Sequence, residues 1–391
     1  MARAYLDWNA TAPLRPQARA AFLAACELVG NPSSVHAEGR AARALIERAR
    51  AEVAALVGAE ARRVIFTSGA TEANMLALTP HLEVGSDRRP RARLLISAIE
   101  HPSVRCGGRF RSDAVEEIPV TARGIVDPAA LESRLAELSR AGNRALVSIM
   151  LANNESGVVQ SIQNVSEMIH AAGGLLHVDA VQAAGRIAVA IEVLGADLLS
   201  ISSHKLGGPK GAGALVIRTE ALHLADPLIR GGGQERGSRA GTENVAAIAG
   251  FGAAAATARE ALAEEHRQVL LLRDRFEREL KRTSPDAVIF GADANRLPNT
   301  TLFAVPGVKA DTAVIALDLE GVAVSSGAAC SSGKVQPSHV LAAMGLGPEL
   351  AKSAIRVSLG YSTTESEVDR GLDAWKKVYR TLHKGSEGIA A

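Results

Sequence analysis

The chain has only three cysteines in 391 residues, Cys26, Cys106 and Cys330. They lie too far apart for a CxxC metal knuckle and are too few for a disulfide framework, so reduced thiols are expected. Aromatic residues are also scarce, at 3%, which leaves few stacking platforms for single-stranded nucleic acid. Charge is nearly balanced, 44 Lys+Arg against 42 Asp+Glu for a net +2. A field that weak gathers neither nucleic acid nor an anionic membrane. The longest charge-free apolar stretch, residues 245–256, falls short of the ~20 residues of a membrane span and reads as a buried helix. The first seven residues hold one basic side chain and no apolar run follows, so no secretory signal is expected and the cytoplasm is the default location. H-E-x-x-H, G-x-G-x-x-G and G-x-x-x-x-G-K-[ST] are all missing, and His36-Ala37-Glu38 has no P-C-x-x-C downstream. Neither a nucleotide site nor a zinc hydrolase or deaminase is indicated, and no metal site is assigned.

What is present is apolar sequence, 47% of the chain, enough for one large core and a smaller one. Helical spacing of apolar residues covers 15–28 and 37–57, where Leu45, Ile46, Ala49, Val53, Leu56 and Val57 share a face. The turn cluster Asn31-Pro32-Ser33-Ser34 separates the two. From residue 58 on, short apolar runs at 64–66, 94–96, 145–150, 175–178, 198–201 and 214–217 are followed by helical segments such as 70–79 and 161–172. Continuous rather than alternating runs point to strands buried on both faces, and hence to an α/β layer structure with a mainly parallel sheet between helices. A long helical stretch, 242–282, leads to further strand runs at 288–290, 300–305, 322–325 and 355–359 and helices near 311–319 and 366–382, which predict a smaller α+β domain. The expected division is a large domain over 15–255 and a small one built from 1–14 and 256–391.

In open α/β sheets, ligands collect beyond the carboxyl ends of the strands. The residues there are Thr67-Ser68-Gly69-Ala70-Thr71, Glu100-His101, Asn153-Asn154-Glu155, Asp179 with Gln182, and Ser202-Ser203-His204-Lys205. A lysine at a strand end in a glycine-rich segment can form a Schiff base with an aldehyde cofactor. Pyridoxal phosphate would also need a carboxylate at its pyridine nitrogen, a flat group against its ring and donors for its phosphate. Asp179 closes an apolar strand, where a carboxylate calls for a cationic partner. His101 could stack or shuttle protons. Ala70 and Thr71 open a helix, either as an ordinary cap or as an anion site. Arg356, a charge in a strand pattern, is either a paired structural ion or a fork for a substrate carboxylate. Cys26, inside a helical pattern, reads as a small buried hydrophobe. Cys330 lies among small residues, Ser326-Gly327-Ala328-Ala329-Cys330-Ser331-Ser332-Gly333, where a thiol can act as a nucleophile.

Taken together, His101, Asn153-Asn154-Glu155-Ser156-Gly157, His177-Val178-Asp179-Ala180-Val181-Gln182, Ser202-Ser203-His204-Lys205, Arg236-Gly237-Ser238-Arg239-Ala240-Gly241-Thr242 and Ser326-Gly327-Ala328-Ala329-Cys330 occur in the order seen in cysteine desulfurases. Tyr5-Leu6-Asp7 with Asn9-Ala10-Thr11, and Asn31-Pro32-Ser33-Ser34 before His36, fit as well. From about residue 5 to 364 the chain resembles the NifS/IscS type of the class V, fold type I aminotransferase superfamily. The resemblance implies a homodimeric pyridoxal 5'-phosphate enzyme that turns L-cysteine into L-alanine and passes sulfur through a persulfide to an acceptor such as an iron–sulfur scaffold protein. It implies Lys205 as the cofactor-bearing lysine, Asp179 as partner of the pyridine nitrogen, and His101 as ring-stacking group and proton carrier. Asn154 and Gln182 would reach the phenolic oxygen or the substrate. Ala70, Thr71, Ser202 and His204 would hold the phosphate, with Thr242 from the neighbouring subunit. Arg356 with Asn31 would bind the substrate carboxylate, and Cys330 would attack the sulfur. Ser203 stands where many relatives carry Gly, and Ala-Ala-Cys-Ser-Ser-Gly replaces the more usual Ser-Ala-Cys-Thr-Ser. The superfamily also holds aminotransferases, selenocysteine lyases and kynureninase-like hydrolases; a non-catalytic binding protein on the same fold is the rival from another class.

Overall fold

The computed structural model describes residues 3–327 and 338–387, with side chains to residue 382. Strands β1 (Val64–Thr67), β2 (Arg93–Ser97), β3 (Val115–Ile118), β4 (Ala145–Met150), β5 (Leu175–Asp179), β6 (Leu198–Ser202) and β7 (Gly213–Ile217) form one sheet in the order β1-β7-β6-β5-β4-β2-β3. Only β7 is reversed, pairing antiparallel with β1 and β6; the other pairs are parallel. The carboxyl ends of six strands therefore open on one edge.

Every residue of β4, β5 and β6 is buried, which requires helices on both faces. Successive side chains alternate between the two. Val147, Ile149, Leu176, Val178, Leu199 and Ile201 pack with Ala18, Ile46, Ala49 and Val53 of α1 (Pro16–Cys26) and α2 (Ala37–Leu56). On that same side lie Leu131 and Leu135 of α4 (Pro128–Arg140) and Ile162, Val165 and Ile169 of α5 (Ile162–Ala171). Leu146, Leu175 and Leu198 face Ala73, Leu76 and Ala77 of α3 (Ala70–Ala77). Each such Leu, Ile or Val contributes about 1.5–3 kcal/mol through burial.

Helix α6 (Val245–Thr283) joins two cores. Phe251, Ala254 and Ala255 belong to the sheet's core, whereas Val269, Leu272, Phe276 and Leu280 belong to a second. By length and composition it could cross a bilayer, but its apolar first turns are buried against α1 and α2. The approach is close: a Cβ on Gly252 would come within 2.5 Å of the Ala49 Cα. The second core packs Phe303, Ile355 and Val357 against Ala313 and Leu317 of α7 (Ala310–Leu319) and Leu372, Trp375 and Val378 of α8 (Glu365–Glu387). Its antiparallel sheet runs β8-β9-β11-β10, from β8 (Val288–Ile289), β9 (Thr300–Ala304), β10 (Ser325–Ser326) and β11 (Ala354–Ser358). Trp375 meets Phe303 edge-on at 5.1 Å and donates its indole N–H to Ser284 at 3.0 Å. Ala4 and Tyr5 pair with Val322 and Ala323, so the N-terminal residues belong to this second core.

The strands and helices expected from the sequence are found with ends shifted by a few residues, except that the run 322–325 is split into Val322–Ala323 and Ser325–Ser326, which join different sheets. Several elements have no counterpart in that reading, among them β3, α4 and the strand pair Leu82–Val84 with Leu222–Leu224. Edge strand β3 reads Val-Glu-Glu-Ile, with glutamates that keep its exposed side polar, and α4 is opened by Asp127, whose carboxylate accepts from the Ala129 and Ala130 amides. One expectation is corrected: Cys26 is exposed rather than buried, because it ends α1 while Ala18 and Ala25 make that helix's buried contacts.

Candidate active site

Residues from all five expected strand ends line one cavity of about 850 Å³ at the carboxyl edge of the sheet, whereas Thr67, Glu100, Asn153, Glu155 and Ser203 from those same ends are buried outside its lining. At its end nearest β1, helix α3 starts at Gly69 with no side-chain cap. Its first-turn amides, at Ala70 and Thr71, are left for a ligand or solvent. A Cβ on Gly213 of β7 would stand 2.6 Å from the Gly69 carbonyl carbon, so only glycine lets the two backbones meet there. Ser202 and His204 line the same end. The His204 Nδ1 lies 3.1 Å from the Thr11 hydroxyl. Burial, followed by the Lys205 and Lys210 charges, lowers its pKa to about 4.

Asp179, buried at the end of β5, has both carboxylate oxygens held. Oδ1 accepts from the Val181 amide at 3.0 Å and Oδ2 from the Asn74 Nδ2 at 2.9 Å. His101 begins a short turn of helix after β2 and opens into the cavity. Desolvation is the main cause lowering its pKa, with Asp179 opposing and Lys205 reinforcing it. The Lys205 Nζ donates to the Asn9 carbonyl at 2.6 Å and the Ala10 carbonyl at 2.8 Å. Burial, then the charges of Arg186 and Arg356, brings the amine down to about 7, against the opposing pull of Asp7 and Asp179.

Arg356 on β11 is buried. One arm donates to Asp7 at 2.8 Å, another to the Asn154 carbonyl at 2.9 Å, and its Nε has no partner. Arg356 is thus a paired ion that also lines the cavity. The Asn154 side chain lines the cavity too. Gln182 also does, but its amide donates to the Asn9 carbonyl at 3.0 Å and its oxygen accepts from Arg186.

A carboxylate, a flat ring, an amine and an uncapped helix start therefore surround a space of ligand size, and these residues fit pyridoxal 5'-phosphate. Of the expected site residues, Asn31 and Thr242 are not in this chain's cavity lining. Asn31 is exposed, away from the cavity, its side chain accepting from the Ser33 amide at 2.9 Å. Thr242 lines a neighbouring cleft that shares only Ser68 and Gly211 with the cavity. Cys330 lies outside the described residues. The sequence reading also passed over Asn74, Ser103 and Arg186. A buried Asn between Ala73 and Leu76 on an otherwise apolar helix face is the one signal that could have drawn attention to Asn74.

This fold and cavity are those of a pyridoxal-phosphate enzyme: the chain belongs to the aminotransferase class-V family, whose model matches residues 4–370. Within it, the relatives are cysteine desulfurases. One from Cereibacter sphaeroides is 43% identical over 98% of this chain and 97% of its own length, and the cysteine desulfurase IscS of Dictyoglomus turgidum is 42% identical over 97% and 95%. The X-ray structure of a NifS-like protein from Rickettsia africae superposes with a TM-score of 0.87 at 37% identity, covering 97% of this chain and 99% of that one.

Proposed function

We propose that this chain converts L-cysteine to L-alanine, with Lys205 carrying pyridoxal 5'-phosphate and Cys330 receiving the sulfur as a persulfide. The observation that carries this reading is the convergence of Lys205, Asp179 and His101 on one cavity in a chain aligned almost end to end with cysteine desulfurases. The cofactor, when bound, supplies a sink for the electron pair released as the substrate's Cα–H bond breaks. Asp179 holds the pyridine nitrogen protonated, and its two anchoring bonds keep the carboxylate aimed. Ala70, Thr71, Ser202 and His204 hold the phosphate. Lys205, with its amine near 7, is able to take and return a proton at neutral pH. His101 stacks on the ring and carries a proton. Asn154 and Gln182 contact the cofactor or substrate, and Arg356 binds the substrate carboxylate. The Cys330 thiolate attacks the substrate sulfur. An S–S bond forms, the C–S bond breaks with its electrons left on carbon, and that carbon takes a proton to give alanine.

The working unit in this reading is a cytoplasmic homodimer in which Thr242, exposed on this chain, reaches the neighbouring subunit's site. The persulfide is delivered to an acceptor protein such as an iron–sulfur scaffold. The division into a large domain, 15–255, and a small one, 1–14 with 256–391, is supported by the change of core along α6. The test is to give the loaded enzyme L-cysteine with a reductant and measure alanine and sulfide together. Equal yields, lost in Cys330→Ala and Lys205→Ala, are expected. Full turnover in Cys330→Ala would overturn the persulfide step.

A further inference from the structure

In the cavity wall a single side chain joins the two groups that would flank the cofactor ring. Asn74, fully buried on α3, donates one Nδ2 hydrogen to the Asp179 Oδ2 and the other to the Ser103 Oγ, both at 2.9 Å. The Ser103 Oγ lies 2.8 Å from the His101 Nδ1, and the Ser103 amide donates to that same nitrogen at 3.1 Å.

The directions in this chain are set by chemistry. An ionised carboxylate only accepts, so the Asn74 atom facing Asp179 must be nitrogen, and both its hydrogens are then committed. The Ser103 oxygen is therefore an acceptor toward Asn74, which leaves its one hydrogen for the His101 Nδ1. Two donors, a hydroxyl and a backbone amide, now point at Nδ1. A proton on that nitrogen would reverse the hydroxyl's bond and forfeit the amide's, so neutral His101 carries its hydrogen on Nε2, the nitrogen without a protein partner among the described residues. The Asn74 Oδ1 is buried with no partner, so the use of the amide here is its two N–H groups.

We propose that Asn74 and Ser103 are positioning residues that couple Asp179 to His101, aiming the carboxylate and locking the imidazole as the Nε2–H tautomer. The proposal rests on the roles given above to Asp179 and His101. Neither Asn74 nor Ser103 is required to take part in proton transfer itself.

The test uses protein labelled with ¹⁵N-histidine, with and without pyridoxal 5'-phosphate, the His101 signals being assigned with His101→Gln. The wild type is expected to show a single Nε2–H tautomer at His101. Ser103→Ala, which leaves the backbone amide as the one remaining donor to Nδ1, should admit a measurable share of the Nδ1–H form, and Ser103→Thr, which keeps the hydroxyl, should restore the single form. Asn74→Ala should mix the tautomers as well, because the Ser103 hydroxyl is freed to turn. It should also weaken cofactor binding roughly tenfold or more, through loss of a bond to a charged group. An unchanged tautomer in both Ser103→Ala and Asn74→Ala, or a Thr variant as disturbed as Ala, would overturn the coupling. Alanine and sulfide are measured on the same samples. If the wild type makes neither while the tautomer and affinity changes occur as stated, the desulfurase reading fails and the coupling stands.

Discussion

Glu100, the residue before His101, is fully buried and lies on the inner side of the site. Its Oε1 accepts from the Ser97 hydroxyl and the Met150 amide, each at 2.6 Å, while its Oε2 is buried without a partner. Burial is the main cause that raises its pKa from 4.5 to about 8, with the Asp179 charge adding to it. A carboxyl whose pKa is higher folded than unfolded stabilises the native state below the unfolded value, and that stabilisation is lost as pH rises through the folded value. At 1.36 kcal/mol per pH unit, roughly 3 kcal/mol disappears between pH 5 and 7.5. Glu100→Gln keeps the accepting oxygen and replaces the orphan oxygen with an amide that does not titrate. The variant and wild type should be of similar stability at pH 5, and the variant should be ahead by roughly 3 kcal/mol at pH 7.5. Urea midpoints for both proteins at half-unit pH steps measure the difference, in which the contributions of other titrating groups cancel. A gap that stays constant from pH 5 to 8 would refute the assignment of a neutral, strained carboxyl.

Three further substitutions test other parts of the structure. Glu235 holds Arg50 at 2.7 and 2.9 Å and accepts from the Phe66 amide at 3.0 Å, all out of water. Glu235→Ala leaves the buried Arg50 guanidinium with only the half-exposed Glu47 and the Val64 carbonyl and should cost about 2–4 kcal/mol in thermal or urea unfolding; a loss below 1 kcal/mol would contradict the pairing. The Ser203 Oγ is buried without a partner, so Ser203→Ala should leave the protein as stable or up to about 1 kcal/mol more stable, read as an equal or higher Tm. Arg356→Lys retains the charge but cannot hold Asp7 and the Asn154 carbonyl and still present a fork. KM for L-cysteine should rise roughly tenfold or more with cofactor affinity unchanged, and an unaltered KM would remove Arg356 from substrate binding.

Much of the site is legible in the sequence because the sheet is buried on both faces. In Ala145–Met150, Leu175–Asp179 and Leu198–Ser202 the interior polar residues Ser148, His177 and Ser200 bond one another across the strands, and Asp179, His204 and Lys205 stand out where the strands end. Other residues give no such local sign. Asp7 and Arg356 are 349 positions apart and meet only when the N-terminal residues join the second core. Asn74 resembles an ordinary helix residue until α3 is laid against β6 and β7 and its amide reaches Asp179 at the end of β5. Cys26 shares a helical pattern with buried neighbours, and only the packing of α1 shows that its side chain faces outward.

By itself, then, the sequence determined the elements, the class of fold and the chemical types at each strand end, because periodicity and burial are local properties of the chain. Tertiary structure alone decided which of those groups face one another, where the buried hydrogen bonds run, and how far the Lys205 and Glu100 pKa values move. Those depend on distance and desolvation, which exist only once segments remote in sequence have been brought together.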